Sequence, residues 1–176
     1  STVSGTNFIG TTDNISLTFR TNNIRGMQLD SNRILRVDSS LLVNGTMYIG
    51  RGGQKVASNT AVGTNTLAAN ESSGINNTAI GFETLKANTS GDANTAVGYL
   101  ALTGATGSNN NTAVGWGSLQ TLTNGGANNT AVGSYSLNAN NSSYNTAIGF
   151  GAGLSSTGAF NIGLGNRSMQ YLTSES

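Results

Sequence analysis

Phe82, Tyr99 and Trp116 each stand immediately after a glycine in three successive copies of one repeated phrase, and Tyr135 stands one place further on in the next copy. If consecutive copies stack as strands, these side chains lie about 4.8 Å apart in register. A column of this kind has two uses. Open to solvent, it is a platform for the faces of sugar rings. Covered, it is packing within a core or between subunits. Tyr and Trp carry a polar atom that wants a partner in either setting. Phe82, Tyr99, Trp116 and Tyr135 are therefore the candidate receptor contacts.

The remaining chemistry-bearing residues are sparse. The chain has no histidine and no cysteine, so it offers neither an imidazole base nor a thiolate for nucleophilic attack or metal binding. Its carboxylates are Asp13, Asp30, Asp38, Glu71, Glu83, Asp92 and Glu175. Glycoside hydrolysis needs two of these close together, but Glu71 and Glu83 fall in adjacent copies at different phases. Calcium-binding repeats need an aspartate in each unit, and most units lack one. The glycine pairs of "RGGQK" and "NGGAN" do not have the spacing of a phosphate-binding loop. The reading is of a chain with no catalytic residue, no metal site and no cofactor, and not of an enzyme.

Composition narrows the classes further. Charged residues make up 9% of the 176-residue chain and the formal net charge is +1, against roughly 25% charged residues in ordinary domains. That leaves no electrostatic footprint for nucleic acid or an acidic membrane. No run approaches the roughly 18 apolar residues of a membrane-spanning helix. The first residues do not read as a signal peptide, lacking a basic stretch followed by an apolar one.

The elements that must position the aromatic column come from the repeat itself. "SNTAVG", "NNTAIG", "ANTAVG", "NNTAVG" (twice) and "YNTAIG" place an asparagine at 59, 77, 94, 111, 129 and 145, and a degenerate "NIGLG" begins at Asn161. The spacings are 18, 17, 17, 18, 16 and 16 residues. Four residues after the motif glycine comes Leu67, Leu85, Leu102, Leu119 or Leu137. Met169 takes that place in the last copy, and in the sixth the leucine slips by one to Leu154. Units this short cannot hold two helices, and their Gly and Asn content opposes helix. The expectation is an all-β solenoid (β-roll or β-helix) of about seven coils over residues 56–176. Each coil would run short strand, glycine turn, short strand, polar turn. Val62, Ile80, Val97, Val114, Val132, Ile148 and Leu164 are expected to form one interior ladder and the leucines a second. The asparagines suit amide ladders or left-handed turns. One valine and one leucine per coil bury little surface against the entropy of ordering some 17 residues, so sister copies of the chain are expected to cover another face.

Residues 1–55 lack the repeat and hold Arg20, Arg25, Arg33, Arg36, Arg51 and Lys55, six of the eight basic residues. "ISLTFRT" alternates Ile15, Leu17 and Phe19, and "RGMQLD" alternates Met27 and Leu29, both as half-buried strands do. Further short strands break at Ser39-Ser40 and at Asn44-Gly45, a hairpin signal. This segment reads as a separate β-rich cap or shaft module, its basic residues on a solvated or intersubunit face.

At "NTAVGYLAL" and "NTAVGWGSL" the chain resembles the repeats of phage tail-fibre and surface-fibre proteins. More loosely, it is similar to the heads of YadA-like trimeric autotransporter adhesins. "GTTDNISLTFRTNNIRGMQLD" resembles the segment that often precedes such repeats in tail fibres. The resemblance implies a parallel homotrimer about a three-fold axis, joined to neighbouring fibre segments on a virion or cell surface. It also implies a host cell-surface glycan or protein receptor as partner. Such fibres often end in a chaperone domain that cleaves itself off after a serine, and Ser176 is compatible with that. Two other functions compete. A monomeric ice-binding or surface-layer solenoid needs a flat regular array, which unit lengths of 16 to 18 oppose unless the extra residues all fall in one turn. A polysaccharide depolymerase spike is disfavoured by the scarce carboxylates.

Overall fold

A computed structural model describes residues 16–21, 24–29, 35–37, 41–43, 47–54, 56–123 and 125–171. Ile15, the Ser39-Ser40 break, the Asn44-Gly45 hairpin signal and Ser176 lie outside the described residues. The described elements are all β, and the chain divides into two compact units, Ser1–Leu41 and Leu42–Ser176.

In the first unit β1 (Leu17–Thr21), β2 (Ile24–Leu29) and β3 (Leu35–Val37) form an antiparallel sheet in that order. Leu17 faces Leu29 and Phe19 faces Met27 across β1 and β2, with an irregularity between Phe19 and Arg20. The alternation expected of Leu17, Phe19, Met27 and Leu29 is thus a matched set of cross-strand pairs.

The second unit contains all but the first residue of β4 (Leu41–Val43), then β5 (Met47–Gly50) and the solenoid. The solenoid strands are β6 (Thr60–Val62), β7 (Thr78–Ile80), β8 (Thr95–Val97), β9 (Thr112–Val114), β10 (Thr130–Val132), β11 (Thr146–Ile148) and β12 (Ile162–Leu164). Each pairs in parallel with the next, threonine on threonine and alanine on alanine through β11. The described residues hold about six turns, one between each strand and the next. β5, which the sequence assigns to the amino-terminal module, pairs antiparallel with β6, Ile49 opposite Val62.

The interior strand ladder is alanine, not valine. Ala61, Ala79, Ala96, Ala113, Ala131 and Ala147 have no exposed surface. Ile80, Val114, Ile148 and Leu164 are 36–65% exposed, and Val62, Val97 and Val132 are half-buried. The reason is parity. The motif asparagine points inward, strand side chains alternate, and the next inward place is therefore the alanine two residues on. A coil this narrow accepts only a methyl group there, which is why that position is alanine in six copies and Gly163 in the seventh.

The second expected strand of each coil is instead a turn of left-handed residues. Leu67, Leu85, Leu102, Leu119 and Leu137 are fully buried, as the second ladder requires, but with φ between +44° and +50°. This conformation costs a leucine about 1–2 kcal/mol. It is held because the leucine amides still bond between coils, for example Leu102 N to Ser118 O at 3.0 Å and Leu119 N to Ser136 O at 3.0 Å. In the sixth coil Gly153 takes the leucine place with φ +61°. A Cβ there would stand 2.8 Å from Leu137 Cδ2, so the slipped Leu154 is half-buried one place on.

Asparagine completes the interior. Asn59, Asn77, Asn94, Asn111, Asn129 and Asn145 are buried, and each Oδ1 accepts the backbone N–H of the asparagine in the next coil, at 2.8–3.0 Å. The Nδ2 groups close each coil onto the polar turn: Asn94 to Ser108 O at 2.7 Å, Asn111 to Gly126 O at 3.0 Å. These buried amides are satisfied by one another and by turn carbonyls, which is what a polar interior needs.

Candidate functional site

The outward side of each coil is set by the same parity. Threonine and valine or isoleucine of the strand point away from the core, and the residue after the motif glycine follows them. The structure brings all four candidate receptor contacts into one column. Phe82 and Tyr99 stack with centroids 5.5 Å apart and planes 10° apart. Tyr99 meets Trp116 edge-on at 6.1 Å. Trp116 and Tyr135 are tilted at 45° with centroids 5.1 Å apart. Tyr135, one position later in its unit, turns back over Gly117, where a Cβ would lie 3.1 Å from its ring. Phe82, Tyr99 and Trp116 are 43%, 49% and 52% exposed on the single chain. Such an array gives ring faces and edges to a flat apolar ligand surface.

No family model matches this chain, and no curated protein or solved structure matches it either.

Among the described carboxylates, Glu71 is exposed and Glu83 and Asp92 are half-buried. Asp92 Oδ1 accepts from Ile75 N at 2.8 Å. Glu83 Oε1 accepts from Lys86 Nζ at 2.8 Å and from Asn65 Nδ2 at 3.3 Å. Asp13, Asp30, Asp38 and Glu175 lie outside the described residues. Among the described residues no three of His, Cys, Asp and Glu come together as metal ligands, and no helix is long and apolar enough to cross a membrane.

The Lys86 hydrogen bond holds the Glu83 carboxyl below the ordinary carboxylate range. The folded value lies below the unfolded one, so this contribution is present at neutral pH and lost as pH falls through the depressed value. The pair sits at the surface, where such bridges contribute little and salt screens them. On acidification, Glu83→Gln is expected to lose slightly less thermal midpoint than the parent chain, and 1 M salt should abolish the difference. Melts at neutral and acid pH check this; equal losses at low salt would remove the pair as a contributor.

Sequence reasoning missed a second aromatic pair. Tyr144 and Phe160 stack with centroids 4.9 Å apart and planes 3° apart, and are 53% and 77% exposed. They precede the ladder asparagines of their units and have φ of +62° and +64°. The corresponding places hold Asn76, Asn110 and Asn128, for which left-handed backbone is easier. The signal was an aromatic residue standing where the other units carry asparagine, alanine or serine.

Proposed function

We propose that this chain is a structural and receptor-binding segment of a trimeric fibre, of the phage tail-fibre or surface-fibre kind, that recognises cell-surface carbohydrate. The observation that carries the reading is the outward column of Val62, Ile80, Val97, Val114, Val132, Ile148 and Leu164, apolar in every coil and exposed or half-buried throughout. A continuous apolar stripe on a single chain marks a surface for a partner, and the most economical partner is the same chain, in register, twice over. The three valine columns then face the axis, about seven coils each, and Phe82, Tyr99, Trp116 and Tyr135 stay open at the margin. Three equal sites on one rod turn weak sugar contacts into firm attachment. The fibre joins neighbouring segments and works outside the cell or on a virion. The resemblance of the "NTAVG" units to tail-fibre repeats supports the same reading.

Light scattering tests the assembly: the expected mass is three times 17.9 kDa, and a folded species of 17.9 kDa would defeat it. A glycan array tests the column. Trp116→Ala and Tyr99→Ala are each expected to weaken binding by about tenfold or more, as buried aromatic anchors do; unchanged binding removes the column as the site.

A second reading has one observation in its favour. From ladder asparagine to leucine place the interval is 8 residues in every copy, while from there to the next asparagine it is 10, 9, 9, 10, 8 and 8. All the length variation falls in the polar turn, so the threonine and valine columns stay regular. A monomeric ice-binding or surface-layer solenoid would have that array. A mass of 17.9 kDa together with thermal hysteresis in solution would establish it instead.

A further inference from the structure

Beyond the aromatic column, the last coils form a concave site of about 350 Å³ whose lining includes Tyr135, Phe150, Gly151, Leu154, Arg167 and the amides of Asn138 and Gln170. It exists because a side chain is missing. Tyr135, Gly151 and Arg167 occupy the same place in three successive units, two residues after the motif glycine, with φ of +57°, +59° and +52°. Tyr135 leans back toward Trp116, Arg167 reaches over the Phe150 ring with Cζ 5.8 Å from its centroid, and the buried Gly151 between them has no side chain. A Cβ at Gly151 would make only an ordinary contact, 3.5 Å from Arg167 Cγ, so the gap is not demanded by packing.

The polar groups in the gap are specific. Asn138 is anchored by Nδ2 on Gly117 O at 2.7 Å, and Gln170 by Nε2 on the Tyr171 hydroxyl at 3.2 Å. Arg167 has no carboxylate bonded to it among the described residues. The described acids, Glu71, Glu83 and Asp92, all belong to the first two units. A guanidinium over an aromatic ring keeps its N–H donors around its own edge, and these suit a carboxylate in two-point geometry. Aromatic walls, two amides and a guanidinium fork with no carboxylate on it among the described residues are the complement of a pyranose ring carrying an acid group. The volume is at the small end for ligand sites, about 300–1,000 Å³, which suits one sugar ring rather than a long chain.

We infer that the Tyr135–Phe150–Arg167 cavity binds a carboxylate-bearing sugar residue, giving the fibre a preference for acidic glycans. This deepens the carbohydrate reading above and rests on it.

The test titrates the full chain with a tetrasaccharide ending in glucuronic acid and with its carboxyl-reduced counterpart, which is neutral and otherwise the same. The acidic form is expected to bind at least about tenfold more tightly, the scale of a charge-assisted contact, and to lose that advantage in high salt. Arg167→Gln should erase the difference while leaving the neutral sugar's affinity in place. Gly151→Asn, which the left-handed backbone accommodates, fills the gap and should weaken both, with an unchanged melting curve showing that the coil is intact. Equal affinity of the parent chain for the two sugars, or an acid preference that survives Arg167→Gln, overturns the inference. Binding without acid preference that Trp116→Ala abolishes would overturn it while sparing the carbohydrate reading. No binding of either sugar would remove both.

Discussion

Gly115→Ala is expected to lower stability by about 2–6 kcal/mol. Two effects add. Gly115 has φ +133°, a region alanine enters at a cost of about 1–3 kcal/mol. A Cβ there would also stand 2.6 Å from both the carbonyl carbon and oxygen of Gly133 in the next coil. The obstruction is backbone, which cannot rotate away, so the coils must separate locally, and overpacking of this kind costs about 1–3 kcal/mol more. Gly165→Ala separates the two effects. Gly165 holds the same motif place with φ +108°, and a Cβ added there would meet nothing within 4 Å. Denaturant unfolding should therefore show Gly115→Ala as clearly the more damaging. Equal losses would mean that close approach of neighbouring coils does not fix the motif glycine.

The second large effect concerns the amide ladder. Asn111 Oδ1 accepts Asn129 N and Asn129 Nδ2, each at 3.0 Å, and its Nδ2 donates to Asn94 Oδ1 at 3.1 Å and Gly126 O at 3.0 Å. Asn111 is 1% exposed. Asn111→Ala strands these groups away from water, at about 1–3 kcal/mol for each buried group left unsatisfied, and an overall loss of about 3–5 kcal/mol is expected after partial relaxation. Asn111→Asp is the sharper probe. Its ionised carboxylate would turn an oxygen toward Asn94 Oδ1 and Gly126 O, so burial and repulsion raise its folded pKa above the unfolded value. A raised carboxylate pKa destabilises as pH rises through it, so the variant should be weakest near neutrality and recover on acidification, when the protonated acid can donate to Gly126 O. Urea midpoints of parent and variant across that range decide it; a pH-independent difference would contradict the donor role given to Nδ2.

Much of this architecture is readable from the order of residues alone. The spacing of Asn59 through Asn161 marks the coil, and the fully buried leucines occupy the ladder that their regular place after the motif glycine implies. The polar interior is harder to read because hydrophobicity favours valine over alanine as the inward strand residue. Only the parity set by an inward asparagine reverses that choice. The left-handed leucines leave no trace in propensity, since Leu102 at φ +50° is held by bonds between coils and not by its own preference. For the site, the column of Phe82, Tyr99 and Trp116 is legible because it repeats. The Arg167 cavity is not, because it depends on what Gly151 lacks and on residues from three separate units.

The constancy of one interval and the drift of the other separate two kinds of position along the ribbon. Between asparagine and leucine the chain is metered, and any inserted residue would throw the threads out of step. Between leucine and the next asparagine it has already absorbed one or two extra residues without disturbing the strand register. That hem is where foreign loops can be stitched in, coil by coil, to display a row of grafted peptides at a pitch of about 4.8 Å.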